Sequence, residues 1–349
     1  MAEELTYSGS GVDIDAADEL KRGFSRSLET ANKRVLNKVG AFASLFDAHF
    51  PDMRHPVLVI KTEEPGSKQK LAFKYGRIES ICFDMINHLV NDIIVMGATP
   101  LAVQDAVICG KIGKDMVRRL VAGIANACAE QDCVLTGGET SEQPGVLEAG
   151  SYILTSTIVG VVEKTAIIDG SAIKEGDAVI ALASSGVHTN GYSLIRALME
   201  RKPEVLDMAA DGSSFIDAIL TPHRCYYHIL KGLFANHGLH GMAHITGGGI
   251  EGNLNRVLPE GLDAVIHADK IVIPDIFKLI RREGGVPDAD MRRTFNIGVG
   301  LAAVVDEALA DEIVRHIISQ GCNCYRIGKI EKESANNAPK VIFEGDLSW

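Results

Sequence analysis

Short apolar runs, rich in Val, Ile and Ala, alternate along the chain with longer stretches in which apolar residues recur every three to four positions. Continuous runs of this kind are typical of buried strands, and the longer recurrence is typical of helices packed on a sheet. The pattern predicts helices at 114–131, 191–200, 222–236 and 306–319, and strands at 57–60, 153–162, 178–183, 262–267 and 297–305. The predicted fold class is therefore α/β or α+β.

A turn-rich stretch divides these elements into two groups. The chain has 349 residues, which is more than the ~100 to 200 residues of a usual domain. Residues 167–177 contain Gly170 and Gly176 and lie after one long predicted strand and before the next. Such a stretch favours a domain boundary. We therefore predict an N-terminal domain over residues 1–168 and a C-terminal domain over residues 169–349.

Composition and charge narrow the class of protein. Hydrophobic residues make up 46% of the chain, and the mean hydropathy of +0.10 gives no sign of disorder. A net charge of −11 argues against a nucleic-acid-binding surface. No apolar run reaches the ~18 residues of a membrane span, and the first residues lack an export signal. We expect a cytoplasmic protein acting on small molecules, with no nucleic-acid partner and no membrane association.

The seven cysteines are odd in number, scattered, and mostly embedded in apolar runs. This distribution favours buried free thiols in a reducing compartment. Cys322 and Cys324 form a C-x-C pair, but no second Cys or His pair lies at zinc-finger spacing. A structural zinc site is therefore not predicted.

A helix is predicted over residues 81–97, ended by Gly97. It is apolar almost all round, and its polar side chains fall at i, i+4, i+7 and i+8, on one narrow stripe. Such a stripe either faces water or faces a ligand or metal, and its narrowness favours the second. The residues of the stripe are Asp84, His88, Asn91 and Asp92.

Three glycine-rich segments have the residue types that phosphates and metal ions bind. In the first, Gly137, Gly138 and Glu139 follow an apolar strand. The glycines let the backbone approach a ligand, and the carboxylate is suited to Mg²⁺ or a ribose hydroxyl. The same glycine pair is also common in plain turns, so this segment alone leaves both interpretations open.

The second and third segments each precede a helix. His188 lies in a loop between a strand and a helix that begins at about Ser193, a layout that aims free N–H groups at an anion. Its imidazole is suited to orienting or deprotonating a substrate. Three consecutive glycines, at 247–249, follow His244 and Thr246. Because glycines are entropically costly to order, a phosphate lying on this backbone is favoured over a flexible connector.

Taken together, these segments resemble the PurM-like family of phosphoribosylformylglycinamidine cyclo-ligases, or aminoimidazole ribonucleotide synthetases. The match spans most of the chain, and its order and spacing make it specific. The matching segments are Tyr7 with residues 11–15, residues 90–93 and 97–101, 137–140 with 144–145, 160–164, 184–196, 244–249, Asn253 with 256–259, and 293–300.

The resemblance implies a fold, a reaction and an assembly. The family pairs the N-terminal sheets of two subunits in a homodimer, and a C-terminal α/β domain completes the site for ATP and substrate. The implied reaction uses ATP and Mg²⁺ to phosphorylate the amide oxygen of formylglycinamidine ribonucleotide. A nitrogen then attacks, phosphate leaves, and the imidazole ring closes.

The resemblance also assigns site residues. His188, Lys68 and Asp92 are implied to be catalytic, with Glu63, Asp92 and Glu139 as metal ligands. The residues implied to bind nucleotide are Glu63, Gly66, Ser67, Lys68, Asp92, Gly137, Gly138 and Glu139. Those implied to bind the phosphorylated substrate are His188, Asn190, Gly191, His244, Thr246, Gly247, Gly248 and Gly249.

One segment departs from the family pattern. Where the family carries T-D-G-x-G-T-K, this chain reads Thr-Glu-Glu-Pro-Gly-Ser-Lys over residues 62–68. Ser67 and Lys68 keep a hydroxyl and a cation for phosphate, and Glu63 replaces the aspartate with a longer carboxylate. Glu64 adds charge beside the triphosphate path, and Pro65 removes a backbone donor. The alternative is therefore a divergent PurM-like relative that binds a phosphorylated ligand with weak or no turnover.

Overall fold

The computed structural model describes residues 32–37, 41–333 and 340–349. The matching segment at Tyr7 and residues 11–15 lies outside this range. The chain divides into two compact units. The first comprises the described residues up to Pro65 together with 69–90 and 100–163, and the second comprises 66–68, 91–99 and 164–349.

The first unit is built on a four-stranded sheet with the strand order β1-β4-β2-β3. Strands β1 and β4 pair antiparallel, and β2 and β3 pair parallel. The elements in chain order are β1 (Pro56–Glu63), α1 (Lys68–Lys74), α2 (Ile78–Ile94), β2 (Thr99–Cys109), α3 (Lys114–Glu130), β3 (Val134–Glu142) and β4 (Tyr152–Glu163).

The core of the first unit is formed by α2, α3 and one face of this sheet. Ile86 of α2, Ile124 of α3 and Ile158 of β4 have no exposed surface. The two helices approach closely because Gly123 has no side chain: a Cβ there would lie 2.9 Å from Cys82 Sγ. The predicted burial of thiols is confirmed, since all seven cysteines are free and every one except Cys225 is buried.

The second unit contains a six-stranded sheet with the order β12-β9-β11-β5-β10-β8. Neighbouring strands pair antiparallel except β12 and β9. The elements are β5 (Ala178–Ala183), α4 (Tyr192–Arg201), β6 (Ala209–Ala210), β7 (Ser213–Ser214), α5 (Phe215–Ile219), α6 (Tyr227–Leu230), β8 (Leu239–His244), α7 (Gly249–Leu254), β9 (Leu262–His267), α8 (Asp275–Gly284), α9 (Asp288–Thr294), β10 (Val299–Val305), α10 (Ala310–Ser319), β11 (Cys324–Lys332) and β12 (Val341–Glu344).

The predicted mixed α/β class is confirmed. The strands predicted at 178–183 and 262–267 have the observed bounds, and the one predicted at 297–305 begins at Val299. It starts late because Ile297 and Gly298 have left-handed backbone, with φ of 44° and 100°, which interrupts a strand. The helix predicted over 81–97 is observed at 78–94, and Gly97, with φ of 77°, donates its N–H to Ile94.

The helix predicted over residues 222–236 is confirmed only over 227–233 and is wrong at its start. Residues 221–226 have no helical structure, and only α6 and a single 3₁₀ turn at Lys231–Leu233 follow. The apolar spacing suggested a helix, but backbone groups of residues 221–226 bond to side chains from elsewhere in the second unit. These bonds replace the i to i−4 bonds of a helix.

The change from the first unit to the second falls after Glu163, earlier in the chain than the boundary predicted at 168/169. Ile168 donates its N–H to the Met96 carbonyl at 3.2 Å, so this connection packs with residues 91–99 inside the second unit. Among the described residues, no helix is long and apolar enough to cross a membrane.

Candidate active site

The loop between β5 and α4, residues 184–191, is stabilised by a hydrogen bond within the loop and by hydrogen bonds from Tyr192 and Asn296. His188 lies in the left-handed region, with φ of 62°, where a residue other than glycine is uncommon. Ser185 donates its N–H to His188 Nε2 at 3.2 Å, and Tyr192 Oη donates to the His188 carbonyl at 3.1 Å. Asn296 Nδ2 donates to the Gly186 carbonyl at 2.9 Å. The His188 ring is thereby fixed in the interior, with 1% exposure.

Gly191 precedes α4 with φ of 80° and no side-chain cap. A Cβ at this position would lie 2.1 Å from the Phe295 ring. Packing against Phe295 therefore requires glycine here, independently of any ligand. The N-terminus of α4 still presents N–H groups that no residue within the helix accepts, as the sequence predicts for an anion site.

The second predicted substrate segment lies beside the first. A Cβ on Gly247 would lie 3.2 Å from Asn190 Oδ1, so the glycine loop and the end of the 184–191 loop are neighbours. Asn253 Nδ2 lies within hydrogen-bond distance of the carbonyls of Thr246, Gly247 and Gly249, and ties this loop together. The structure thus brings the two predicted substrate segments to one place in the second unit.

The three glycines at 247–249 differ in what they accommodate. Gly249 has φ of 65°, and a Cβ there would lie 1.8 Å from the Arg292 carbonyl oxygen, so packing alone requires glycine. The helix that follows, α7, has only six residues. The predicted phosphate is thus not needed to explain Gly249, whereas a Cβ on Gly247 would make only one tight contact, at 3.2 Å with the Asn190 side chain.

Asp92 lies near the C-terminal end of α2 and contacts a predicted substrate residue directly. Its Oδ1 is 2.7 Å from His244 Nδ1, and the two side chains are 17% and 3% exposed. The neighbouring Asn91 has no exposed surface; it donates to the Arg224 carbonyl and accepts the Tyr226 N–H. The polar stripe of α2 therefore does not face water at this end. Asn91 bonds to the backbone of residues 224 and 226, and Asp92 orients the imidazole of His244.

Lys68 has no exposed surface. Its Nζ donates to the Thr221 carbonyl at 2.8 Å and lies 5.7 Å from the centre of the Tyr192 ring, an arrangement that compensates a buried ammonium group. The preceding Gly66 has φ of 60° and lies against the Thr189 carbonyl, and Arg196 donates to the Ser67 carbonyl. In this structure Lys68 anchors residues 221–226 instead of pointing into solvent toward a phosphate.

The two carboxylates of the first unit that are predicted to bind metal do not lie close together. Glu63 ends β1 and pairs with Lys61 at 3.0 Å, whereas Glu139 lies on β3 and accepts the N–H of Thr140. Strands β1 and β3 form opposite edges of the four-stranded sheet, so at least about 14 Å separates them across the sheet. Within one chain, Glu63 and Glu139 cannot bind the same Mg²⁺, whose ligands lie ~2 Å away.

Gly137 and Gly138 lie inside β3, which continues through them to Glu142. A Cβ on Gly138 would lie 1.9 Å from Asp105 Oδ1 on the neighbouring strand, so the absent side chain makes room for this carboxyl group. Withdrawal of the carboxyl from water raises the pKa of Asp105 to about 7, although part of the side chain stays accessible. The glycine pair is therefore part of a strand, not a turn that closes on a ligand.

Sequence reasoning missed His223, which lies between two residues that it found. The His223 ring stacks on the His188 ring with 3.9 Å between centres, and His223 Nε2 lies 2.9 Å from His244 Nε2. Thr189 Oγ1 lies 3.5 Å from His223 Nδ1. The only sequence signal was a histidine directly after Pro222, in a stretch predicted to be helical.

The comparisons with known proteins cover both units. The family model described as AIR synthase related protein, N-terminal domain, matches residues 52–162. The model described as AIR synthase related protein, C-terminal domain, matches residues 174–338.

Solved structures with low sequence identity share the fold. Hydrogenase maturation protein HypE in complex with ATP has a TM-score of 0.70 and 18% identity, over 96% of this chain and 93% of that one. Thiamine-monophosphate kinase from Stenotrophomonas maltophilia has a TM-score of 0.66 and 16% identity, over 97% and 98%. At these identities the likeness shows the fold alone.

Curated relatives are much closer in sequence. The phosphoribosylformylglycinamidine cyclo-ligase of Nitrosospira multiformis is 42% identical over 343 residues, covering 97% of this chain and 96% of the relative. That of Bordetella petrii is 41% identical over 341 residues, covering 97% of each. The chain therefore belongs to the phosphoribosylformylglycinamidine cyclo-ligase family, which confirms the resemblance that its motifs predicted.

Proposed function

We propose that this chain is an ATP-dependent ligase that closes the imidazole ring of aminoimidazole ribonucleotide from formylglycinamidine ribonucleotide. Full-length relatedness to cyclo-ligases supports the reaction class. The observation that carries the proposal is the meeting of the 184–191 and 244–249 loops in the second unit, where the side chains of His188, His223 and His244 are also collected.

The reaction needs an activated oxygen, a nucleophilic nitrogen and a place for a proton. Phosphorylation by ATP turns the amide oxygen into a leaving group, because phosphate departs far more readily than oxide. The ribonucleotide phosphate is proposed to lie on N–H groups of the loops at 191 and 247, which positions the reacting atoms. Ring closure releases one proton from the attacking nitrogen, and the buried imidazoles are the nearby groups suited to receive it.

ATP use is proposed from the family and from the fold. Two structures with the same fold were solved with nucleotide: HypE with ATP, and T. maritima PurL with AMPPCP at a TM-score of 0.53. Glu63, Gly66 to Lys68, Asp92 and 137–139 remain the proposed nucleotide-side residues. The proposed metal set does not fit one ion within a single chain, because Glu63 and Glu139 lie on opposite edge strands. We therefore propose that Mg²⁺ accompanies ATP, and we assign no reaction step to a protein-bound ion.

A homodimer is proposed through the open face of the first unit's sheet. Leu58 and Ile60 are 53% and 64% exposed on adjacent outward positions of β1. Val159, the partner of Ile60 on β4, points to the same side. Exposed apolar positions on a sheet face are typical of an association surface. Work in the reducing cytoplasm is proposed from the buried free thiols.

The decisive experiment is a direct assay. Purified protein supplied with formylglycinamidine ribonucleotide, ATP and Mg²⁺ is expected to form ADP and an aminoimidazole product in equal amounts. Omission of either substrate is the control for background hydrolysis. If the protein binds both ligands by calorimetry but forms no product, the proposed reaction is wrong and the divergent binding relative is the better interpretation.

A further inference from the structure

Two residues other than glycine have left-handed backbone on neighbouring segments of the second unit. His188, in the loop after β5, has φ of 62°, and Ile297, two residues before β10, has φ of 44°. For a β-branched side chain such as isoleucine this conformation is a genuine outlier, and it persists only where the surroundings enforce it. Ile297 is 1% exposed, so the enforcing contacts come from the interior of the unit.

Residues 296–298 form a turn that Asn296 closes with its side-chain oxygen. Asn296 Oδ1 accepts the N–H of Gly298 at 2.9 Å, and the Asn296 carbonyl accepts the N–H of Val299 at 2.9 Å. Gly298 has φ of 100°, and a Cβ there would lie 2.4 Å from the Val272 carbonyl oxygen, so glycine is required at this position. These contacts fix the turn from its own side.

The nitrogen of the same side chain holds the loop after β5. Asn296 Nδ2 donates to the Gly186 carbonyl at 2.9 Å, and Ser184 donates its N–H to the Gly298 carbonyl at 2.9 Å. The turn and the loop are therefore joined by two hydrogen bonds that run in opposite directions, on either side of Ser185. Asn296 is 2% exposed, so an amide that lost its acceptor here would be a buried, unsatisfied donor, which is costly.

Ser185 carries this placement on to His188. The Ser185 N–H is donated to His188 Nε2 at 3.2 Å, and Ser185 Oγ donates to the Pro222 carbonyl at 2.7 Å. The His188 ring also lies against β10, because a Cβ on Gly300 would lie 2.7 Å from His188 Cε1. The strand that follows the 296–298 turn is thus one of the surfaces against which the imidazole packs.

We propose that Asn296 is a positioning residue of the site. Its oxygen holds the 296–298 turn and its nitrogen holds the Gly186 carbonyl, and these bonds set the direction of the Ser185 N–H that orients the His188 imidazole. The inference rests on the proposed function, in which His188 and the residues after it in the loop meet the substrate. Asn296 acts through this loop and takes no part in the bonds that form or break.

The kinetic test uses Asn296→Asp at pH 8, where an aspartate carboxyl is ionised and can only accept. The variant keeps an oxygen for the Gly298 N–H, but it sets a second oxygen against the Gly186 carbonyl in place of the donor. We expect kcat per folded enzyme to fall by at least about 10-fold, with KM for the ribonucleotide changed by less than about 3-fold, because the orientation of a reacting group matters most in the transition state. A kcat within about 2-fold of wild type, or a loss confined to KM, would overturn the proposal.

Asn296→Ser is a second variant, which introduces no charge. A serine hydroxyl can accept from the backbone N–H two residues further on, but its side chain is too short to replace the asparagine amide at the Gly186 carbonyl. We expect the same pattern of kinetic constants as for Asn296→Asp. A serine variant with the kcat of wild type would show that the bond to Gly186 is dispensable, which contradicts the proposal.

The matched control is Asn236→Asp. Asn236 closes the same kind of turn before β8: its Oδ1 accepts the Gly238 N–H at 2.8 Å, and its carbonyl accepts the Leu239 N–H at 3.0 Å. This turn precedes the start of β8, whereas His244 ends that strand. We expect kcat per folded enzyme to stay within about 2-fold of wild type. An equal loss of kcat in both aspartate variants would mean that such turns act through general stability, and the role assigned to Asn296 would be wrong.

Hydrogen exchange followed by mass spectrometry tests the positioning without the reaction. In full-length protein, we expect the amides of residues 184–186 to exchange at least about 10-fold faster in Asn296→Asp than in wild type, whereas Asn236→Asp should leave them unchanged. Unchanged exchange in the Asn296 variant would contradict the proposal. If the wild-type protein has no cyclo-ligase activity and the loop of the variant still exchanges faster, the proposed function fails while the link from Asn296 to the loop stands.

Discussion

The environment of the Asp105 carboxyl group depends on the absence of a side chain at Gly138. Its carboxyl group lies over Gly138, in space that a Cβ would fill, and withdrawal from water raises its pKa to about 7. A carboxyl with a raised pKa resists ionisation in the folded protein, so ionisation destabilises the fold.

This shift predicts a fall in stability with rising pH. Below pH 3.8, the ordinary pKa of the group, both folded and unfolded chains carry the proton; between 3.8 and about 7 only the folded chain keeps it. The unfolded chain therefore binds fewer protons over this window, and stability falls as pH rises until about 7. We expect Asp105→Asn to gain on the order of 1 to 4 kcal/mol relative to wild type between pH 4 and 8.

Thermal unfolding at several pH values measures this gain. The control is Asp115→Asn, because the Asp115 side chain is 92% exposed and pairs with Arg118, a kind of contact worth little. Its Tm difference from wild type should stay nearly constant with pH. A constant difference for Asp105→Asn as well would mean that its carboxyl ionises normally in the folded protein.

At the scale of elements, the short helix α7 contains two glycines that differ in whether their neighbours leave room for a side chain. Gly249 begins α7 with φ of 65° against the Arg292 carbonyl, whereas a Cβ on Gly252, in the same helix, would meet nothing within 4 Å. We expect Gly249→Ala to lower the free energy of unfolding by about 2 kcal/mol or more, because the backbone must shift. Gly252→Ala should be neutral or stabilising by up to about 1 kcal/mol.

Denaturant unfolding of the two variants checks this contrast. A small effect at Gly249 would mean that the loop relaxes easily and that its glycines are there for a ligand. A large effect with undiminished ribonucleotide affinity would show that packing, not phosphate, requires this glycine.

The elements also show which parts of the structure can be predicted from a single sequence and which cannot. The buried strands of the second unit were predictable because continuous apolar runs such as 299–305 have few alternatives to a sheet interior. Residues 221–226 were not, because their backbone is fixed by Lys68, Asn91 and Ser185, which are remote in sequence. His188 and His244 were found from the glycines around them. His223 has no such neighbours, and only the fold brings it to them.

At the scale of the whole molecule, association is the property most open to test. The outward positions of β1 include Leu58 and Ile60, which are exposed in the single chain. If this face pairs with a second copy, a charge there must be buried without a partner, at a cost of several kcal/mol. We expect Ile60→Lys to shift the protein from dimer to monomer at micromolar concentration, as measured by sedimentation velocity.

Ile318→Lys is the matched control for the dimer. Ile318 is also a largely exposed isoleucine, at 52%, and it lies in the last turn of α10, where a cation is favourable. This variant should sediment as wild type does. Dimers in both variants would exclude the outward face of β1 as the association surface.

The non-contiguous make-up of the second unit has a consequence for how the chain acquires its structure. Lys68 and Thr221 are separated by 153 positions, and Asn91 and Arg224 by 133. During synthesis neither side chain can form its hydrogen bond until most of the chain has left the ribosome, because the accepting residue has not yet been made. Contacts of such long range slow folding. A fragment of residues 164–349 alone would lack both side chains, so we expect it to be less stable than the same residues in the whole chain.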